Sequence, residues 1–209
     1  GIYTCEIIAG TSLDNTDCDD GNNLINPGME EICNLMDDNC SGVADEEIIV
    51  TISIEALGAT TFCQGSNVVL QATHNGTSLQ WKKNGFPIPG ATNNTYTVST
   101  NGNYTCQTSS LCGISNSALI HVTVNKNPNA NITAAGATTF CPGDSVILTL
   151  TPIGGSTYQW YKGANPIPGA TSLSYVAKIS GNYKCRVTKN ATGCFKNSNI
   201  ITVNATCKE

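Results

Sequence analysis

The sequence predicts an all-β protein in which two tandem β-sandwiches follow a small, disulfide-rich N-terminal loop module. Three observations point to this architecture. Only 12% of the residues are charged while Gly, Ser, Thr and Asn are plentiful, which is typical of short strands joined by polar turns. The chain repeats itself at a fixed spacing. It also carries 11 cysteines in 209 residues, which indicates an oxidising, extracellular setting.

The repeat divides most of the chain into two copies of one domain. Four segments of the first copy recur in the second: GATTFC at 58–63 and 136–141, QW at 80–81 and 159–160, PIPGAT at 87–92 and 166–171, and GNY at 102–104 and 181–183. The offset stays at 78 or 79 residues, which chance does not produce. We therefore predict domains at 49–127 and 128–209, with the polar stretch 125–129 as their linker.

Each copy has the strand and turn pattern of a β-sandwich. Apolar residues alternate with outward positions over 68–72 and over 146–150. A last strand, at 118–124 in the first copy and 199–204 in the second, closes the domain. Copies of about 80 residues with turns every ~8–12 residues indicate an immunoglobulin-like sandwich.

The two tryptophans are expected to be core residues. Trp81 and Trp160 each follow the inward-alternating strand, where a sandwich needs a large apolar side chain. A sugar-stacking platform is the alternative, and it would need several exposed aromatic side chains on one face. The candidates for that role are Phe86, Tyr96, Tyr158 and Tyr161.

The motif Gly-x-Tyr-x-Cys after the tryptophan resembles the immunoglobulin tyrosine corner, with Tyr104 and Tyr183 in that role. The phrases FCxGxxVxL, QWxK, PIPGAT and GNYxC resemble the tandem Ig-like modules of large secreted proteins of Bacteroidetes-type bacteria. One departure matters, because the strand-B cysteine of such domains would stand at Ala72 and Leu150. The usual bridge between the two sheets is therefore missing.

The cysteine pairing stays open at the sequence level. Cys106 and Cys185 either pair elsewhere or remain buried thiols. Two sets of pairs are equally admissible: Cys63–Cys112 with Cys141–Cys194, or Cys63–Cys106 with Cys141–Cys185. The odd number of cysteines leaves one thiol free or bonded outside the chain. The disulfide candidates are Cys5, Cys18, Cys33, Cys40, Cys63, Cys106, Cys112, Cys141, Cys185 and Cys194.

The N-terminal module, residues 1–48, has an extreme charge. It carries no Lys or Arg, and its twelve acids are Glu6, Asp14, Asp17, Asp19, Asp20, Glu30, Glu31, Asp37, Asp38, Asp45, Glu46 and Glu47. The module thus has a net charge of about −12, and the remaining chain has a net charge of about +7. Like charges ~4 Å apart repel by roughly 1 to 4 kcal/mol per pair. The segment is therefore either extended and solvated, as an acidic tail would be, or held together by cations. Because four cysteines also lie in this segment, we expect bound cations.

Ca²⁺ is the cation that the spacing favours. Carboxylates and amides stand at near-alternate positions, interrupted by Gly and Pro, and Ca²⁺ takes six to eight such oxygens in irregular geometry. Cu or Zn would prefer imidazole or thiolate, and the cysteines here are expected to be oxidised. The predicted metal ligands are Asp17, Asp19, Asp20, Glu31, Asn34, Asp37, Asp38 and Asn39.

Residues 17–46 also resemble the MopE-type metal-binding repeat, DCDD…NPGxxExCNxxDDNCxGxxDE. The resemblance implies a metal site within this segment. Two positions depart from the family, which usually has Gly where Leu35 stands and Asp where Ser41 stands. The second departure removes one carboxylate from the expected ligands.

The sequence predicts a non-enzyme. It contains no nucleophile elbow, phosphate loop or His-rich cluster, and its two histidines, His74 and His121, lie in strand-like runs. Net acidity argues against a nucleic-acid partner, and no apolar stretch is long enough to span a bilayer.

We expect a secreted or cell-surface modular protein, an adhesin, stalk or display fragment stabilised by calcium and disulfides. Its expected partner is a cell-surface protein, a polysaccharide or a second copy of the chain. One alternative is a subunit of an extracellular filament, since exposed strand edges favour end-to-end joining. A further alternative is an accessory region of a secreted hydrolase.

Overall fold

The computed structural model describes residues 17–19 and 21–207, and this part of the chain contains strands and turns without a helix. It therefore holds no helix that is long and apolar enough to cross a membrane. The all-β prediction is confirmed. Two compact units can be distinguished: the first ends at Val122 and omits Thr61–Ser66, and the second contains Thr61–Ser66 and the chain from Thr123 onward.

The first repeat forms two sheets. Its strands are β1 (Ile52–Ala56), β2 (Thr61–Cys63), β3 (Val68–His74), β4 (Ser78–Lys83), β5 (Phe86–Pro87), β6 (Thr95–Val98), β7 (Gly102–Ser110), β8 (Gly113–Asn116) and β9 (Ile120–Asn125). One sheet has the order β1-β3-β6, and the other has the order β2-β9-β7-β4-β5 with β8 also paired to β7. The final strand agrees with the prediction to within two residues.

The second repeat has the same topology. Its strands are β10 (Ile132–Ala134), β11 (Thr139–Phe140), β12 (Val146–Leu150), β13 (Ser156–Lys162), β14 (Asn165–Pro166), β15 (Ser174–Ala177), β16 (Gly181–Lys189), β17 (Phe195–Asn197) and β18 (Ile201–Ala205). The sheet orders are β10-β12-β15 and β11-β18-β16-β13-β14, with β17 paired to β16. Two antiparallel-rich sheets repeated in this order are immunoglobulin-like sandwiches.

The tryptophans lie in the cores, as predicted. Trp81 and Trp160 are 0% exposed. In the second unit Trp160 packs with Leu148 of β12 and Val203 of β18, so both sheets contribute to one core. The indole N–H of Trp160 donates to the carbonyl of Ser172 at 2.8 Å, which satisfies its one polar atom. The sugar-platform alternative is therefore wrong for these two side chains.

The tyrosine corner is confirmed in both repeats. The hydroxyl of Tyr104 donates to the carbonyl of Thr100 at 3.0 Å, and the hydroxyl of Tyr183 donates to the carbonyl of Ile179 at 2.9 Å. Both rings are buried. Each tyrosine thus fixes the loop that leads into the long central strand, β7 or β16.

Cys106 and Cys185 are buried free thiols, which is one of the two outcomes left open above. Each lies directly opposite a core tryptophan, Trp81 or Trp160, on the neighbouring strand. Burial raises the pKa of both thiols to about 11. They act as small apolar core residues in place of the missing bridge between the sheets.

The described cysteines form four disulfides: Cys18–Cys40, Cys33–Cys112, Cys63–Cys194 and Cys141–Cys207. The pairs considered above within each copy, Cys63–Cys112, Cys141–Cys194, Cys63–Cys106 and Cys141–Cys185, are absent from the described chain. Cys207 was missing from the candidates, and Cys5 lies outside the described residues.

The geometry of β7 explains why Cys63 does not reach Cys112. Cys63 lies opposite Asn125, the last residue of β9. The first residue of β7, Gly102, pairs with Val122 of the same strand, so Cys63 lies past the Gly102 end of β7. Cys112 lies in the turn after Ser110, the last residue of β7. The nine residues of β7 span about 26 Å, whereas disulfide-bonded cysteines have Cα atoms within about 7 Å.

Candidate metal centre

The acidic module, residues 17–47, is held by side-chain oxygens that accept backbone N–H groups. At its start, Asp17 Oδ1 accepts the amide of Asp19 at 3.0 Å, and Asp19 Oδ1 accepts the amide of Gly21 at 3.1 Å. The disulfide Cys18–Cys40 ties this turn to the far end of the segment. Short Asx-type turns of this kind explain why Asp and Asn recur at close spacing.

Asp38 is the buried centre of the module, with 2% of its surface exposed. Its Oδ2 accepts the amide of Ile32 at 3.0 Å. The side-chain amide of Asn34 donates to both carboxylate oxygens of Asp38, at 3.2 and 3.1 Å. These bonds satisfy the buried charge from within the protein, so Asp38 and Asn34 organise the loop.

Glu31 and Asp37 each hold two amides of the segment that follows. Glu31 accepts the amide of Asn39 at 2.8 Å on Oε1 and the amide of Asp45 at 2.9 Å on Oε2. Asp37 accepts the amide of Ser41 at 2.9 Å and that of Gly42 at 2.8 Å. The loop therefore wraps around these two carboxylates and turns their oxygens to its interior.

Glu46 completes the cluster. Its Oε1 accepts the side-chain amide of Asn39 at 2.8 Å, while its Oε2 is shielded from solvent and has no hydrogen-bond partner within the described chain. One carboxylate oxygen each from Glu31, Asp37 and Glu46 lie within 4.8 Å of one another.

The predicted ligands thus fall into two groups. The structure brings Glu31 and Asp37 together and places the amide of Asn39 beside them. It engages Asp17, Asp19, Asn34 and Asp38 in backbone and side-chain hydrogen bonds elsewhere in the loop. Asp20 lies outside the described residues. Glu46 belongs to this cluster but was not among the predicted ligands, although it closes the DE pair that ends the motif.

A second grouping brings the carboxylate of Asp45 near Cys33 and Cys112. Those cysteines form a disulfide, so neither offers a thiolate to a metal. The carboxylate of Asp45 instead accepts the amides of Asn34 and Leu35, each at 2.9 Å. This group therefore serves the loop and not a metal ion.

The departure at Leu35 has a visible consequence. Leu35 has a φ of 67°, in the left-handed region that glycine adopts without steric cost. Its amide donates to the carboxylate of Asp45, so the hydrogen bond fixes the backbone in this conformation. The glycine of the family motif would fit the same turn with less strain.

The donor set fits a hard cation. Three carboxylates converge, and the shielded Oε2 of Glu46 has no hydrogen-bond donor in the part of the chain that the structure describes. Residues 1–48 contain no Lys or Arg to balance these charges. The side-chain atoms that could coordinate a metal here are carboxylate and amide oxygens, which suit Ca²⁺ or Mg²⁺ better than copper or zinc. A cleft of about 440 Å³, lined in part by Glu30, Glu31 and Glu46, runs beside them.

Comparison with known proteins supports a metal-binding motif here. Residues 17–46 match the Cu-binding MopE family, whose description is "Putative metal-binding motif". Among curated proteins, none matches the chain.

Solved structures with a similar fold have low overall similarity. One chain of the crystal structure of the mouse coronavirus receptor-binding domain complexed with its murine receptor is 17% identical, with a TM-score of 0.36, and the match covers 74% of this chain and 100% of that one. The human OSCAR ligand-binding domain is 17% identical, with a TM-score of 0.33, and coverage of 73% and 97%. The three N-terminal domains of the bacteriophage RB49 outer capsid protein Hoc are 18% identical, with a TM-score of 0.36, and coverage of 75% and 59%.

Proposed function

We propose that this chain is a non-catalytic, extracellular binding protein in which a Ca²⁺-stabilised module precedes two Ig-like domains. The observation that carries the proposal is the convergence of carboxylate oxygens from Glu31, Asp37 and Glu46, together with the shielded Oε2 of Glu46, which has no hydrogen-bond partner among the described residues. A cation at this cluster would offset the repulsion of the three carboxylates, which in turn hold the amides of residues 39–45.

Ca²⁺ is favoured over the copper in the name of the matching family. Copper(II) prefers imidazole, and both histidines lie outside residues 17–46. The cysteines described in this segment are disulfide-bonded. Ca²⁺ accepts carboxylates, amide oxygens and water in irregular geometry, and extracellular sites bind it with dissociation constants of roughly 10⁻⁴–10⁻³ M.

Calorimetric titration of the oxidised full chain with Ca²⁺, Mg²⁺ and Cu²⁺ tests the metal. We expect Ca²⁺ uptake with a dissociation constant on the order of 10⁻⁴ M or tighter. Glu46→Gln keeps the size of the side chain and removes its charge, and should weaken Ca²⁺ binding by at least about tenfold. Glu47→Gln is the matched control, because Glu47 is adjacent and exposed.

Two results would overturn the metal assignment. Uptake of Cu²⁺ without Ca²⁺ would assign the site to a different ion. Equal Ca²⁺ affinity in the Glu46→Gln and Glu47→Gln proteins would show that the carboxylate cluster is not the site.

The binding role is proposed from the rest of the chain. The disulfides suit an oxidising compartment, and immunoglobulin-like sandwiches present loops and sheet faces for contact. We expect binding to a cell-surface protein, a polysaccharide or a second copy of the chain. The test is adhesion of the purified chain to cells with and without a Ca²⁺ chelator. Adhesion that is unchanged by chelation would restrict the metal to a local structural role.

A further inference from the structure

The outward face of one sheet differs between the two repeats in a way that the shared fold does not require. Four equivalent positions on the strands β4, β7 and β8 or β13, β16 and β17 carry the difference. They are Lys82, Thr105, Gln107 and Ile114 in the first repeat, and Tyr161, Lys184, Arg186 and Phe195 in the second. The first repeat therefore serves as an internal control for what the sheet needs in order to fold.

The four residues of the second repeat form a cationic–aromatic face. The guanidinium carbon of Arg186 lies 4.5 Å from the ring centre of Phe195 and 5.0 Å from that of Tyr161. The ammonium of Lys184 lies 5.8 Å from the same Tyr161 ring. Stacking on aromatic rings holds a guanidinium in place while leaving its outer N–H groups free to bind an anion.

The inner nitrogen of the Arg186 guanidinium, Nε, is also held in place. Its Nε donates to Oδ1 of Asn197 at 3.3 Å, as the amide of Gln107 donates to Asn116 in the first repeat. Among the described residues, no carboxylate pairs with Arg186. Phe195 remains 51% exposed beside it. A large exposed ring next to a pre-oriented cation indicates a surface for a ligand that is both acidic and apolar.

The acidic module matches this surface in charge and in apolar character. Residues 128–209 contain seven Lys or Arg, and their only acidic residues are Asp144 and Glu209. By contrast, residues 1–48 contain twelve Asp or Glu and no Lys or Arg. Within the module Glu30 and Glu47 are exposed. Its exposed apolar side chains include Leu35, Met36 and Val43. Opposite charges that each accompany exposed apolar surface are complementary.

We propose that the cationic–aromatic face of the second repeat binds the acidic module of a second copy of the chain. This inference rests on the proposed binding function and gives it one partner and one surface. Because the acidic module precedes both repeats and the cationic–aromatic face lies in the second repeat, the contact is heterologous and joins copies head to tail. Association is expected to weaken as salt rises from about 0.05 to about 0.5 M, since exposed charges are screened over this range.

Sedimentation equilibrium of the oxidised full chain in Ca²⁺-containing buffer tests the contact. Arg186→Gln introduces the residue that the first repeat has at the equivalent position, so the fold tolerates it. We expect about tenfold weaker association. Lys82→Gln is the matched control, because it removes one positive charge from the equivalent face of the first repeat, and it should leave association unchanged.

The double variant Glu30→Gln/Glu47→Gln tests the contribution of the acidic module to the contact. It should weaken association as Arg186→Gln does. Association that Arg186→Gln leaves unchanged, or that the double acidic variant leaves unchanged, would overturn the proposal. The proposal would also be overturned if the chain were monomeric and bound an anionic polysaccharide, with this binding lost in Arg186→Gln. That result would identify a glycan as the ligand of the face. Ca²⁺ titration of the same variants separates the two proposals, because Arg186→Gln should bind Ca²⁺ normally.

Discussion

At the scale of single residues, chemistry that this chain shares with other Ig-like domains was predictable and its exceptions were not. Tyr104 and Tyr183 follow from a motif, and Trp81 and Trp160 follow from strand alternation. The place of Glu46 in the acidic cluster does not follow from the sequence, because it depends on a carboxylate oxygen that the folded loop shields from solvent. A pattern of acids predicts a cation site, but the fold of the loop determines which oxygens converge.

The buried thiols give the first prediction. Cys106 and Cys185 should resist alkylation by iodoacetamide in the folded protein near pH 8, because burial blocks access and raises their pKa to about 11, which keeps them protonated. Mass spectrometry should find both labelled once denaturant is added without reductant. Labelling of either cysteine in the native protein would contradict the core assignment.

The second prediction concerns the left-handed residue in the acidic module. Leu35→Gly should stabilise the module by about 1 kcal/mol, since glycine adopts a φ of 67° without steric cost and Leu35 is exposed. Hydrogen exchange of the amides that bond to Asp45 and Glu31 is the measurement. Leu24→Gly is the control, because Leu24 is similarly exposed, at 60% against 66% for Leu35, without a positive φ, and this substitution should not slow exchange.

At the scale of elements, strand order and both cores were predictable because the repeat shows the same pattern twice. The sheet orders β1-β3-β6 and β10-β12-β15 correspond strand for strand. Disulfide pairing was not predictable, because Cys63 and Cys112 look like a pair in sequence but lie at opposite ends of β7. Sheet register, which the sequence does not reveal, determines which cysteines can meet.

The third prediction tests the core of the second sandwich. Trp160→Ala should destabilise its domain by ~3–5 kcal/mol, since it removes the largest side chain of a core built from both sheets. Urea denaturation of Trp160→Ala, followed by circular dichroism, gives the change in free energy. Phe86→Ala is the control, because Phe86 is 76% exposed and should cost under about 0.5 kcal/mol. Equal losses for both would show that Trp160 does not carry the core.

At the scale of the whole molecule, the disulfides follow a rule that becomes visible only in the structure. The cysteine in the turn after each long central strand bonds to a cysteine that precedes its own repeat in the chain. Cys112 bonds to Cys33, and Cys194 bonds to Cys63. The first bridge closes a loop that contains most of the first repeat, with a sequence separation of 79. The second closes a loop that contains most of both repeats, with a sequence separation of 131.

These loops create two covalent routes along the oxidised chain between Cys40 and Cys207. One route crosses Cys63–Cys194 and leaves residues 41–62 and 195–206 in the path. The other crosses Cys33–Cys112 and Cys141–Cys207 and leaves residues 34–39 and 113–140. The two routes have nearly equal lengths. When the chain ends are pulled, either route limits how far the oxidised chain can extend. Most residues of each sandwich lie outside the route that carries the force.

The last prediction follows from this redundancy and suits a protein that joins surfaces. Under single-molecule stretching, the oxidised Cys63→Ser/Cys194→Ser chain should reach nearly the same maximal extension as the original chain, because the second route remains. Adding Cys141→Ser and Cys207→Ser opens both routes and should lengthen the chain by roughly 20 nm, at ~3.5 Å for each released residue. Full reduction of the original chain is the positive control and should give a still longer extension. If Cys63→Ser/Cys194→Ser alone reached the fully reduced length, the second route would not exist, and the two bridges that form it would be wrong.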